Sequence, residues 1–193
     1  MLFCAECGVK NCAKEFGKEV GYPGNCPSLL PEHAEYLAEY RDPTDALIAR
    51  VSAECGPVYT EGRVEKTIRF AKLCGYRKLG VAFCITLAKE AELLCRMLKA
   101  EGFEVESLIC KVGHIDRGEV GVPGSCSPMC NPIAQAEILN RAGTELNIAM
   151  GLCVGHDAMF SRHSNAPVTV LVAKDHKYHH APMEFFYEKQ REE

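Results

Sequence analysis

The chain has 193 residues, with 22 Lys+Arg against 26 Asp+Glu for a net charge of −4, and 47% hydrophobic beside 25% charged residues. That balance excludes wholesale disorder. The mild acidity, with no long basic run, excludes nucleic acid or an anionic membrane surface as the main partner. Twelve cysteines in 193 residues are several times ordinary usage and call for an explanation. No apolar stretch reaches membrane-spanning length, and the start, Met1-Leu2-Phe3-Cys4, lacks the basic-then-apolar layout of a signal peptide. The expectation is a cytoplasmic chain whose thiols are kept reduced. Its cysteines then mean metal binding, redox chemistry or catalysis before they mean disulfides.

Residues 1–30 hold Cys4, Cys7, Cys12 and Cys26 among Gly, Pro, Asn and Lys. This Cys-rich arm has little apolar periodicity and cannot build its own core, so it needs a staple. A second region, 31–193, begins with a helical lead-in. Pro31 opens a helix through Tyr40, and Asp42-Pro43 is an N-cap with Pro at the first helical position of a helix running to Cys55. A third helix carries Val64, Ile68, Ala71 and Leu73 and stops at Gly75.

From Lys78 the texture changes to short apolar runs alternating with helical periods. Leu79 to Cys84 reads as a buried strand, and Thr86 caps a helix with Leu87, Ala91, Leu94, Cys95 and Leu98 on one face. Phe103 to Cys110 is the next strand. After a Gly/Pro-rich loop, Asn131-Pro132 starts a helix through Asn140; Glu145 to Cys153 is a third strand, a short helix follows Gly155, and Pro167 to Ala173 is a fourth strand. The alternation predicts an α/β fold, a Rossmann-like doubly wound sheet of about four parallel strands. The last dozen residues read as a solvated helical tail.

Two cysteine constellations carry the chemistry. In Cys4-x2-Cys7-x4-Cys12-x13-Cys26-Pro27 the two-residue gap lets Cys4 and Cys7 reach one metal from a tight turn, and four thiolates complete a site. The unequal spacing and the Pro after the last cysteine lean toward a [4Fe–4S] cluster, with zinc as the alternative. A purely structural staple would use the same residues.

The second constellation exists only once the strands are placed. Cys84, Cys110 and Cys153 each end a strand, and in an open parallel sheet those ends share the edge where ligands bind. The loop Cys126-Ser-Pro-Met-Cys130-Asn131-Pro132 brings two more thiols to a helix start, which favours thiolate. Cys84, Cys110, Cys130 and Cys153, with Cys126 as a spare, form either a second cluster or metal site or a set of free thiols, catalytic or merely tolerated. His156-Asp157 after Cys153, and Lys174-Asp175 after the fourth strand, supply proton-handling and anion-binding groups at that edge. The partner is then a small-molecule substrate or a redox protein; the alternative reading is a zinc-binding carrier, sensor or adaptor without catalytic turnover. Cys74 and Cys95 read as small hydrophobes on helix faces, and Cys55 has no assigned part. GxGxxG, Walker A and Gly-x-Ser-x-Gly motifs are missing from the sequence, which removes the usual support for dinucleotide, nucleotide-triphosphate and esterase readings.

Several strings together resemble one family: Gly80-Val-Ala-Phe-Cys84, Cys110-Lys-Val-Gly113, Cys130-Asn-Pro-Ile133-Ala-Gln-Ala, Gly151-Leu-Cys-Val-Gly-His-Asp157 and Ala166-Pro-Val-Thr169 through Lys174-Asp175. They are similar to the small cysteine-rich proteins of anaerobic bacteria and archaea grouped as domain of unknown function eighteen forty-seven. The resemblance spans nearly the whole chain, including the Cys4, Cys7, Cys12 and Cys26 pattern. It implies metal binding in an anaerobic setting and no established reaction. His176 and Ala181 stand where members often carry Arg and Asn.

Overall fold

A computed structural model of the chain describes residues 4–14, 21–56, 59–123 and 127–192. The chain falls into two compact units, Met1–Glu54 and Cys55–Glu193. In the first, single 3-10 turns at Cys4–Glu6, Asn11–Ala13 and Pro27–Leu29 precede α1 (His33–Glu39) and the greater part of α2 (Pro43–Cys55). None of the three turns buries a residue. What ties this stretch together among the described residues is polar: the Asn11 side-chain amide donates to Gly21 O at 2.6 Å. Asp42 is the expected cap of α2, its Oδ1 accepting from Thr44 N at 2.8 Å and Asp45 N at 3.2 Å.

The second unit runs α3 (Arg63–Leu73), β1 (Lys78–Phe83), α4 (Ala88–Ala100), β2 (Glu104–Ile109), α5 (Pro132–Ala142), β3 (Leu146–Met150), α6 (His156–His163), β4 (Val168–Val172) and α7 (Met183–Glu192). The four strands form one sheet in the order β2-β1-β3-β4, and every pairing is parallel. The fold is therefore α/β, as the alternation of elements predicts. No helix among the described residues is long and apolar enough to cross a membrane.

The strand period of two divides the core. Leu79 and Val81 of β1 and Leu146, Ile148 and Met150 of β3 pack with Ala71 of α3 and Ala91, Leu94 and Leu98 of α4. Ala82 and Ala149 face the opposite way, against Ala136 and Leu139 of α5 and Phe160 of α6. Both central strands are buried on both faces, which is why they read as continuous apolar runs rather than alternating ones. The chain leaves β1 to one side for β2 and then returns to the other side for β3. The carboxyl ends of β1 and β3 thus flank the point where strand order reverses, the usual ligand crevice of such sheets.

Two local expectations are corrected. Thr86 does not cap a helix: a 3-10 turn, Ile85–Leu87, intervenes, α4 starts at Ala88, and the Thr86 hydroxyl donates to Cys84 Sγ at 3.2 Å. The third strand stops at Met150 rather than Cys153, because Gly151 turns the backbone to φ +62°. Any larger residue at 151 would also collide with Leu87, whose Cδ1 lies 2.4 Å from where a Cβ would sit. Cys126 lies outside the described residues.

Candidate functional site

The strand ends gather cysteines in a definite order. Across β2-β1-β3-β4 the chain continues into Cys110, Cys84, the Gly151-Leu152-Cys153 turn and Lys174. Phe83 and Ile109 are register partners, so Cys84 and Cys110 are the next pair along. Both extend the parity of Ala82 and Leu108 and enter the core on the α5/α6 side, at 5% and 3% exposure. Cys130 and Cys153 flank them and are half-buried.

Backbone hydrogen bonds fix the chain around these cysteines. Cys84 N donates to Met150 O at 3.0 Å, fastening the end of β1 to the end of β3. Ile85 N donates to Cys110 Sγ at 3.4 Å. Asn131 N donates to Cys110 O at 2.8 Å, which seats Cys130 beside Cys110. Asn131 also caps α5 through its Oδ1, accepting from Ala134 N at 3.0 Å.

Lys174 completes the group. Its Nζ lies 2.8 Å from Cys84 Sγ and 3.7 Å from Cys153 Sγ, one ammonium serving two sulfurs. Burial alone would raise the Cys84 pKa. The hydrogen bonds from Lys174 and Thr86 outweigh it and bring that thiol down to about 7. Cys110 goes the other way, to about 11, because burial dominates and Cys130 and Cys84 add negative charge beside it. Two register neighbours thus divide into a thiolate and a thiol. Lys174 itself is partly buried, yet its pKa is raised by the sulfurs it faces.

The other expected groups take varied places. His156 opens α6, and burial, then the charges of Lys111 and Lys174, lower its pKa against the opposing pull of Asp157; it is a neutral imidazole near neutral pH. Asp157 is used locally, its Oδ1 accepting from Gly155 N at 3.1 Å and Ala158 N at 2.8 Å. Asp175 likewise holds a turn, accepting from Tyr178 N at 3.0 Å. Lys111 is engaged with Pro128 O.

One residue of this region carries no chemistry that sequence reasoning looks for. Gln135 of α5 is fully buried, and its Nε2 donates to Leu108 O at 2.8 Å and Phe83 O at 3.4 Å. It clamps β2 to β1 just before Cys110 and Cys84. Both acceptors are carbonyls, so the amide cannot be flipped, and Oε1 is left buried without a protein partner. The available hint was a glutamine inside an otherwise apolar Ile133-Ala-Gln-Ala run.

In the arm, Cys4, Cys7 and Cys26 line one hollow of about 270 Å³ with Pro23 and Pro27. Backbone N–H groups of Lys10 and Val9 bond the Cys7 sulfur and lower its pKa, an environment suited to a thiolate ligand. Cys12 is exposed and is not part of that lining. Among the described residues no three His, Cys, Asp or Glu side chains are drawn together closely enough to hold a metal ion. Of the remaining cysteines, Cys95 packs against the α3/α4 core as expected, and Cys55 is buried at the end of α2.

Comparison with known proteins agrees with the motifs. No solved structure matches the chain. A relative from Methanocaldococcus jannaschii, "Uncharacterized protein MJ0455", is 39% identical over 193 residues, covering 96% of this chain and 94% of the relative. The family model described as "Protein of unknown function (DUF1847)" matches residues 26–171. With the family model spanning the stretch from Cys26 into β4 and the relative matched over nearly the whole chain, the chain belongs to the DUF1847 family.

Proposed function

We propose that this is a cytoplasmic redox or sulfur-handling protein that works through the thiols at the carboxyl ends of its strands, with Cys84 as the reactive thiolate and a small sulfur-containing molecule or redox protein as its partner. The observation that carries the reading is the Lys174 ammonium 2.8 Å from Cys84 Sγ. A lysine on a cysteine sulfur favours thiolate, the form that acts as nucleophile. His156, neutral beside Lys111 and Lys174, can accept or return a proton. In this reading the strand-end cysteines act as thiols rather than metal ligands, because Lys174 already stands between the sulfurs of Cys84 and Cys153. A metal ion there would need that ammonium withdrawn.

The arm is the metal-binding part of the proposal, with Cys4, Cys7 and Cys26 around one hollow and Cys12, which lies outside that lining, as the fourth donor by its spacing in the sequence. The N–H bonds to the Cys7 sulfur support it. Bound there, a [4Fe–4S] cluster would supply one-electron transfer, whereas zinc would supply a structural cross-link. The test is separate for each part. Metal analysis of protein made without oxygen addresses the arm, and thiol labelling of Cys84 against pH addresses the sheet edge. Labelling of Cys84 that is indistinguishable from a free cysteine would sink the thiolate reading.

A further inference from the structure

We propose that Cys84 and Cys110 are a dithiol/disulfide pair that exchanges with small-molecule disulfides, Cys84 attacking and Cys110 resolving. The inference rests on the thiol reading of this site and adds the partner cysteine, the order of events and the substrate class.

The pairing follows from register. Cys84 and Cys110 continue the Phe83↔Ile109 pair of adjacent parallel strands and enter the same core. Neighbouring strands lie about 4.8 Å apart, inside the window of about 4.4 to 6.8 Å between Cα atoms that a disulfide spans. The bond from Ile85 N to Cys110 Sγ at 3.4 Å places that sulfur against the backbone leaving Cys84. Gln135 holds the two strands together one residue before Cys84 and two before Cys110.

For the attacking Cys84, Cys153 is less well placed than Cys110. Cys84 lies opposite Gly151 in the β1/β3 register, so Cys153 is two residues further on, and the Lys174 ammonium stands between the two sulfurs. Cys130 hydrogen-bonds Cys110 itself, which makes a Cys110–Cys130 bond the competing product that the mapping separates.

The chemistry balances as ordinary exchange. The Cys84 thiolate attacks one sulfur of R–S–S–R; the S–S bond of the substrate breaks, a Cys84–S–S–R bond forms and R–S⁻ leaves. Cys110 gives its proton to that thiolate, then attacks the Cys84 sulfur and releases the second R–S⁻. Two electrons pass from the protein dithiol to the substrate, and the protein keeps one new S–S bond. Lys174 favours Cys84 as the attacking group, and the buried Cys110 stays protonated until the first leaving group is present.

The experiment uses the full chain, purified without oxygen and treated with glutathione disulfide. Acid quenching, alkylation and peptide mass spectrometry then map the bonds. The expected product is a Cys84–Cys110 disulfide. Cys110→Ser is expected to stop at a mixed disulfide of glutathione on Cys84, and Cys84→Ser to give neither product. A bond from Cys84 to Cys153, or from Cys110 to Cys130, would overturn the pairing while leaving the thiol reading standing. So would a mixed disulfide on Cys84 in the unaltered chain that never closes. Absence of any glutathione or disulfide on Cys84, in the unaltered chain and in Cys110→Ser alike, would overturn both. The mapping of the unaltered chain decides the pairing even if a variant folds poorly.

Discussion

Lys174 belongs to the segment after the edge strand β4, yet its ammonium lies 2.8 Å from the sulfur of Cys84, which follows the central strand β1. The side chain crosses the end of β3 to get there. No sequence spacing relates two residues ninety positions apart; the parallel order β1-β3-β4 does. The contact gives the strand-end cysteines unequal characters, with Cys84 drawn toward thiolate while Cys110 beside it stays protonated.

Stability should depend on pH through this contact. The folded Cys84 thiol titrates at about 7, below the ordinary value of 9.0, so the unfolded chain binds more protons between those values. Stability from Cys84 therefore rises from about pH 7 toward 9 and is lost as pH falls through 7. Cys110, raised to about 11, acts in the opposite sense above 9. Urea midpoints measured at pH 6.5 and 8.5 should increase between the two in the native chain, and the rise attributable to Cys84 should vanish in Cys84→Ala.

Gln135→Leu removes the amide that bonds Phe83 O and Leu108 O in a fully buried position. Each carbonyl loses a donor it cannot replace with water, and the expected cost is about 1–3 kcal/mol. Urea denaturation of the variant should show it, with a secondary loosening of Cys110 seen as faster labelling in the folded state.

Gly80→Ala is a test of packing alone. A Cβ at 80 would lie 2.0 Å from Asn147 Oδ1 and 2.9 Å from Leu139 Cδ1. Asn147 cannot yield easily, since it accepts from Thr144 Oγ1 and donates to Ser164 Oγ, each at 2.8 Å. A loss of about 1–3 kcal/mol is expected from overpacking, with Cys84 labelling unchanged once the protein is folded. A variant as stable as the parent would show that the Asn147 notch is not rigid.

These cases mark what the sequence discloses. The apolar runs at Leu79–Phe83 and Leu146–Met150 are long and β-rich enough to announce two buried strands, and the Asn131-Pro132 and Asp42-Pro43 caps sit where their chemistry predicts. The convergence of Cys84 and Cys110 follows from parallel strands alone, whereas Cys153 reaches the same edge by way of the Gly151 turn. Hidden from the sequence were relations across elements. Gly151 ends β3 early by turning the backbone to positive φ, with Leu87 packed where a Cβ would sit, and Thr86 gives its hydroxyl to a sulfur rather than to a helix. Asp157 and Asp175 sit at the right edge, but their carboxylates are occupied by nearby backbone N–H groups. Gln135 resembled any buried polar residue until its two carbonyl partners came from different strands.

The arm should carry its metal independently of the sheet edge. Protein made without oxygen is expected to hold stoichiometric iron or zinc that is lost in Cys7→Ser, whose sulfur receives the Lys10 and Val9 N–H groups, and is retained in Cys84→Ser. Elemental analysis reads both. Metal that disappears with Cys84 and stays with Cys7 replaced would reverse the assignment of the two cysteine groups.

The most direct test of the central claim is the pH profile of Cys84 alkylation by iodoacetamide, followed at the Cys84 peptide in the unaltered chain and in Lys174→Met. The account predicts an inflection at about 7 in the unaltered chain. In Lys174→Met, burial is no longer opposed by the ammonium, and the inflection should move above about 8.5. Coincident profiles in the two proteins, or an ordinary cysteine profile in the unaltered chain, would contradict it.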